Sequence, residues 1–275
     1  MSETSKTIPP LSRRDAMGAM GLAGLLGLIG CNSESGGSDG TATSTSDGTG
    51  NTVSAGTTGS STSSTGNTGT TTVTTPASCA LIPQETQGPY PLLAILSNAA
   101  MARQNITEGK AGLPLTLRLQ LVNVNQGCAP ISNAAVYIWH CDKDGVYSGY
   151  SQPASNTVGQ TFLRGIQLAD TDGMVSFQTI YPGWYAGRIT HVHFQVYLND
   201  NLTVTATATS QIAFPEAVTT AVYNTSLYVA HGQNSSVTGF ASDNVFSDGT
   251  TYQMATLEGD VSQGYTATLQ VGIAA

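Results

Sequence analysis

The chain has 275 residues, 9 basic and 17 acidic side chains and a formal net charge of −8. With so few cations and no basic patch, nucleic-acid binding is excluded. The 4 cysteines contain no Cys-x-x-Cys spacing, so a cysteine-based metal site is a weak reading.

Residues 1–31 read as an export signal. Ser12-Arg13-Arg14-Asp15 is a twin-arginine pattern, and the apolar run from Met17 to Ile29 is too short for a comfortable membrane span. The run ends Leu28-Ile29-Gly30-Cys31, which resembles a bacterial lipoprotein box, with Cys31 as the lipidated residue. Twin-arginine signals address proteins for export. The expected location is therefore a membrane-anchored lipoprotein facing the periplasm or cell exterior. Residues 32–78 are almost entirely Gly, Ser and Thr, with almost nothing to bury, and read as a disordered tether.

Residues 79–275 have the length of one domain. Cys79, Cys128 and Cys141 fall in it, so at most one intramolecular disulfide is possible. Cys79–Cys128 is the expected pair because Cys141 lies inside an apolar strand.

Most of this part reads as strands. Leu115, Leu117, Leu119 and Leu121 alternate with Thr116, Arg118 and Gln120, which is period two over a whole strand. Ala134 to Cys141 is apolar on both faces and reads as a central strand, followed by the turn Asp142-Lys143-Asp144-Gly145. Phe162–Ala169 and Met174–Ile180 flank Asp172-Gly173, a hairpin signal. Ile189–Leu198, Leu202–Ile212 and Tyr265–Val271 complete the strand set. Helical signal is thin. Pro215-Glu216-Ala217 opens a short helix to about Tyr223, and Pro91–Ala102 is a second candidate. The expected fold is all-β, a two-sheet β-sandwich with short helices and long loops.

The stretch Tyr181-Pro182-Gly183-Trp184-Tyr185-Ala186-Gly187-Arg188-Ile189-Thr190-His191-Val192-His193 concentrates the chemistry. It holds two of the chain's 4 histidines, two phenols and a guanidinium. On a strand, His191, His193 and Gln195 share one face, and Val192, Phe194 and Val196 share the other. The apolar face must meet the core, so the histidine face is expected to open to a cavity or solvent. Two imidazoles alone suit zinc, copper or iron. A carboxylate would complete the facial triad of iron(II) oxygenases, but the nearest, Asp200, lies beyond the strand in an Asn-Asp-Asn turn. The available anionic donors are the phenols Tyr185 and Tyr147. Phenolate is a hard, strongly donating oxygen, poorly matched to zinc and well matched to Fe(III), whose charge also promotes ionisation of the phenol.

Residues 134–150, from Ala134-Ala135-Val136-Tyr137 to Tyr147-Ser148-Gly149-Tyr150, resemble the intradiol ring-cleavage dioxygenases. So do Thr161-Phe162-Leu163-Arg164-Gly165, the stretch from Tyr181 to His193, and Glu85-Thr86-Gln87-Gly88-Pro89-Tyr90. The likeness is nearest to the exported, protocatechuate 3,4-dioxygenase-like branch and covers residues 79–275. It implies a β-sandwich holding one non-haem Fe(III), with Tyr147, Tyr185, His191 and His193 as ligands. It further implies that Tyr185 leaves the metal when a catecholate binds, that Arg188 and Gln211 act at the same site, and that Pro89 and Tyr90 border the substrate pocket. Trp184 either packs or shapes that pocket. The implied reaction opens a catechol-type ring with O₂ between its two hydroxylated carbons, giving a muconate-type diacid.

Other candidates have plainer readings. His140 reads as a satisfied core histidine and His231 as a loop residue. Tyr137, Tyr150 and Tyr181 read as wall or core aromatics, and Asp142 and Asp144 as turn residues. The helical N-terminal segment of catechol 1,2-dioxygenases has no counterpart among residues 32–78, which argues against their helical dimer interface. Two alternatives stand beside the enzyme: a non-catalytic surface β-sandwich binding module, and a copper or zinc protein using only His191 and His193.

Overall fold

The computed structural model describes residues 79–153 and 155–275. The expected export signal (1–31), with Cys31, and the expected tether (32–78) lie outside the described residues.

In chain order the strands are β1 (Pro114–Asn123), β2 (Ala129–Pro130), β3 (Ala135–Trp139), β4 (Ser151–Gln152), β5 (Ser155–Asn156) and β6 (Arg164–Leu168). They continue with β7 (Met174–Ile180), β8 (His191–Tyr197) and β9 (Ala208–Ala213). The helix α1 (Glu216–Tyr223) follows, then β10 (Thr256–Asp260) and β11 (Gly264–Ile273).

One sheet runs β10-β11-β1, with β7 and β2 both on the far edge of β1. The β1–β11 pairing is parallel, from Leu115 opposite Tyr265 to Asn123 opposite Ile273. The second sheet runs β6-β3-β8-β9, antiparallel throughout. The two sheets enclose the main core. Leu115, Leu117, Leu119 and Leu121 of β1 meet Val136, Ile138, Val192, Phe194, Val196 and Ile212 from the opposite sheet. Each side chain so buried contributes about 1.5–3 kcal/mol.

The sheets differ in how they are covered. In β1 the residues between the leucines are partly or fully exposed, as alternation requires. In β3 and β8 every residue is buried. A second apolar cluster therefore lies on the outer face of that sheet, built from Tyr137, Trp139, Cys141, Tyr147, Ile166 and Tyr197 with Tyr90 and Tyr185 against it.

Several local expectations change. Asp172-Gly173 is a turn but not a hairpin. β6 belongs to one sheet while β7 pairs with β1 in the other, so the turn carries the chain between layers. Turn residues specify a reversal, whereas pairing is decided by which edge is free. The strand expected over 202–212 begins only at Ala208. Before it, a 3₁₀ turn spans Leu198–Asp200, with Asn199 and Asp200 at positive φ, and Val204 is half exposed. Asn and Asp tolerate that conformation, which breaks the strand. The Pro91–Ala102 candidate resolves into two 3₁₀ turns, Leu93–Ser97 and Ala99–Met101. Edge strand β10 carries no apolar alternation and had no sequence signal; most of it is exposed. A disulfide joins Cys79 to Cys128, and Cys141 is a buried free thiol.

Candidate metal centre

The site is built on the outer face of β8. His191 and His193 are two residues apart on one strand, so both rings leave the same side, where both are buried. The two rings lie beneath other side chains, whereas Gln195, further along the same face, borders a surface groove. The aromatic layer covers the rings, because the loops after β3 and β7 fold back over the sheet.

Tyr147 and Tyr185 arrive on those two loops. The loops touch backbone to backbone. A Cβ on Gly145, whose φ is +81°, would lie 2.2 Å from the Trp184 carbonyl oxygen, and one on Gly183 would lie 2.4 Å from that of Lys143. Only glycine permits this approach. The Asp142 carboxylate ties the first loop by accepting the Asp144 and Val146 amides, and Lys110 pairs with it at 2.6 Å. The result sets the Tyr147 and Tyr185 rings 5.7 Å apart.

The donor atoms converge. The Nε2 atoms of His191 and His193 are 3.0 Å apart, and the Tyr147 hydroxyl is 3.4 Å from His191 Nε2. The Tyr185 ring stands 5.7 Å from that of His191. His191 Nδ1 faces the Ile189 carbonyl at 2.6 Å. That acceptor assigns the proton to Nδ1 and leaves a lone pair on Nε2, the arrangement of a metal-ligating histidine. His193 stacks on Trp139 at 4.9 Å, and its Nδ1 is buried without a partner. Burial lowers the His191 pKa to about 3, with Arg188 adding to the effect. Burial, then His191, hold His193 well below its ordinary value. Both imidazoles are thus neutral at neutral pH.

The phenols behave in the opposite sense. Burial raises Tyr147 well above its ordinary value and Tyr185 to about 12, against the pull of Arg188 on Tyr185. Protein alone keeps both protonated, so ionising them in place needs a strong local cation. Among the described residues no group of three or more His, Cys, Asp or Glu could hold a metal ion. The imidazoles are supplemented by phenols only. Asp200 lines a surface groove with Leu96 and Leu168, away from the histidines.

The donor set fits a metal. The two buried, facing Nε2 atoms, 3.0 Å apart, would serve one ion as nitrogen donors. Two hard phenol oxygens beside them favour a hard trivalent ion over zinc.

A family model described as dioxygenase matches residues 87–218. An intradiol ring-cleavage dioxygenase from Tetranychus urticae is 29% identical, over 71% of this chain and 95% of its own, with a TM-score of 0.62. A second crystallised dioxygenase is 28% identical, with the same coverage and TM-score. The chain is similar to the intradiol ring-cleavage dioxygenases in its family match and in its fold. 3-Chlorocatechol 1,2-dioxygenase from Rhodococcus opacus 1CP is 18% identical over 70% of this chain and 71% of its own; at a TM-score of 0.47 that likeness carries no weight. No curated protein matches the chain.

The other residues singled out by sequence divide clearly. Arg188 is buried, and Nη2 donates to Gln211 Oε1. Gln211 stands opposite His193 on β9 and donates Nε2 to the Thr86 carbonyl. Tyr90 stacks on Tyr147 at 4.8 Å. Pro89 beside it is exposed. Trp184 engages other partners: its indole N–H donates to the Gly232 carbonyl and its ring packs on His231 at 4.6 Å. His140 is buried and satisfied, with Cys141 O on Nδ1 and Thr179 Oγ1 on Nε2.

Two residues of the site had no assigned role in sequence. Arg164 is fully buried and has no carboxylate partner among the described residues. It donates to Tyr90 O, Tyr137 Oη, Ser148 Oγ and Ser148 O, binding the segment before β1, strand β3 and the Tyr147 loop together. Its motif, Thr161 to Gly165, was visible; the contacts were not. Asp243, which pairs with Arg188, comes from a late loop without periodicity or motif.

Proposed function

We propose that the protein is a non-haem Fe(III) dioxygenase that cleaves a catechol-type ring with O₂ between its hydroxylated carbons, yielding a muconate-type diacid. One observation carries this: Tyr147, Tyr185, His191 and His193 meet in a buried, carboxylate-free cluster. Those four residues would hold the iron.

Bound Fe(III) would supply Lewis acidity that ionises the ligating phenols, holds the catechol oxygens and withdraws electron density from the ring. The remaining work falls to the chain. Tyr185 is less buried than Tyr147 and is the donor placed to yield to substrate, its phenolate oxygen then accepting a catechol proton. His191 and His193 stay neutral and fixed, one by the Ile189 carbonyl and one by the Trp139 ring. Arg188 is already anchored, so its guanidinium stabilises negative charge developing on the ring without reorganising. Tyr90, stacked on Tyr147, and the buried aromatic layer keep water from the cluster.

The native setting belongs to the same proposal. The twin-arginine signal and Cys31 would export and anchor the domain at a membrane, on the tether of residues 32–78. The Cys79–Cys128 disulfide supports an oxidising compartment. Palmitate labelling that survives Cys31→Ser replacement rejects that anchor.

The deciding experiment is the visible spectrum of purified protein with its iron content, followed by O₂ uptake over a panel of catechols. Tyrosinate-to-Fe(III) charge transfer should colour the protein red-brown, and Tyr185→Phe should shift the band and impair turnover. A colourless iron-loaded protein rejects the ligand set; colour without uptake for any catechol rejects the enzyme in favour of a binding module.

A further inference from the structure

We infer that Asp243 is the positioning residue of Arg188, holding the guanidinium as an oriented donor over the metal centre. Asp243 is 0% exposed, and its carboxylate is spent on four N–H groups. Oδ2 accepts Arg188 Nε at 3.0 Å and the Ile189 amide at 2.8 Å. Oδ1 accepts the Val245 and Phe246 amides at 2.9 and 3.1 Å. The last two bonds fix the carboxylate to its own loop; the first two carry that fixed point 55 residues back in sequence, to the entry of β8.

The guanidinium is planar, so anchoring it at two different nitrogens determines both its rotation and its tilt. Asp243 takes Nε and Gln211 takes Nη2. Gln211 is neutral and is itself held by the Thr86 carbonyl. Asp243 is therefore the only carboxylate that forms an ion pair with Arg188 among the described residues. Without it, a buried cation would rest on neutral oxygen alone, at a cost that favours a different placement. Although burial alone would raise the Asp243 pKa, the hydrogen bonds from Arg188, Ile189 and Val245 hold it below the usual carboxylate value, so the pair stays charged.

This inference rests on the dioxygenase reading, and its test begins with iron-loaded wild type and the catechol it turns over fastest. Asp243→Asn keeps one oxygen for the Val245 and Phe246 amides and removes the charge facing the guanidinium. We expect kcat to fall about 10- to 100-fold, as for lost supporting bonds around a metal site, with iron content and charge-transfer band unchanged. Arg188→Gln should lose activity similarly, and Asp243→Asn added to it should cost less than about twofold more, because residues acting through one another are not additive. A kcat within twofold of wild type, independent losses that multiply in the double variant, or loss of the band together with kcat each overturns the inference. If Asp243→Asn does not fold, Asp243→Glu decides: the charge is kept one methylene out of place, so a lowered kcat with an intact band supports positioning and an unchanged kcat refutes it. Absence of colour or uptake in wild type would instead reject the dioxygenase reading itself.

Discussion

The two faces of β8 have equal burial and opposite chemistry. Val192, Phe194 and Val196 enter a hydrocarbon core between the sheets; His191, His193 and Gln195 enter an aromatic layer outside the second sheet. The first face is specified by volume, and its residues act through contacts that any apolar side chain of that size would make. The second is specified atom by atom, since each buried polar group there needs a partner or a ligand. His193 Nδ1 lacks one, and the Nε2 atoms of the pair face each other at 3.0 Å. One strand thus separates stability from chemistry by parity alone.

Substitutions should break that separation to different degrees on the stability scale. Phe194→Ala, on the inner face, should cost about 3–5 kcal/mol by urea unfolding; a loss under 1 kcal/mol would mean that the core is not where the fold is held. A pH effect comes next. Burial lowers the His140 pKa to about 4, so the unfolded chain binds a proton that the folded one excludes. This share of the stability is full above the unfolded value near 6.5, and its loss should cost about 3 kcal/mol as pH drops from 6.5 towards 4. His140→Gln should remove that share of the slope and leave the part due to His191 and His193 in the metal-free protein. Ile212→Val, inner-facing on β9 beside Gln211, should cost only about 0.5–1.5 kcal/mol and leave kcat within about twofold. Tyr147→Phe should change the stability of the metal-free protein least, by under about 1 kcal/mol, because its hydroxyl's contacts are with Tyr185 and, at a long 3.4 Å, with His191 Nε2. Yet it should abolish the iron(III) colour and O₂ uptake. Retained colour there would detach Tyr147 from the metal.

Much of the fold was legible because the signal was local. The leucines of β1 alternate perfectly, and β3 reads as buried on both faces because no polar residue interrupts it. The hairpin at Asp172-Gly173 was misread because pairing is not local: Met174 to Ile180 finds β1, more than fifty positions earlier, rather than the strand just before it. The strand at 202–207 was overread because Val204 and its threonines mimic a pleated pattern on the surface. Within the site, the His191–His193 register and the two phenols were readable, since spacing and donor chemistry suffice to propose a ligand set. Their covering was not, because it depends on Gly145 and Gly183 letting two loops touch.

By itself, then, the sequence determined which residues share the outer face of β8 and which donors were on offer, because strand parity and side-chain chemistry are properties of neighbours. Only the tertiary structure decided that this face is buried, that Arg164 clamps Tyr90 to the Tyr147 loop, and that Asp243 holds Arg188. Each of these joins segments tens of residues apart, and side-chain hydrogen bonds of that kind leave no periodicity behind.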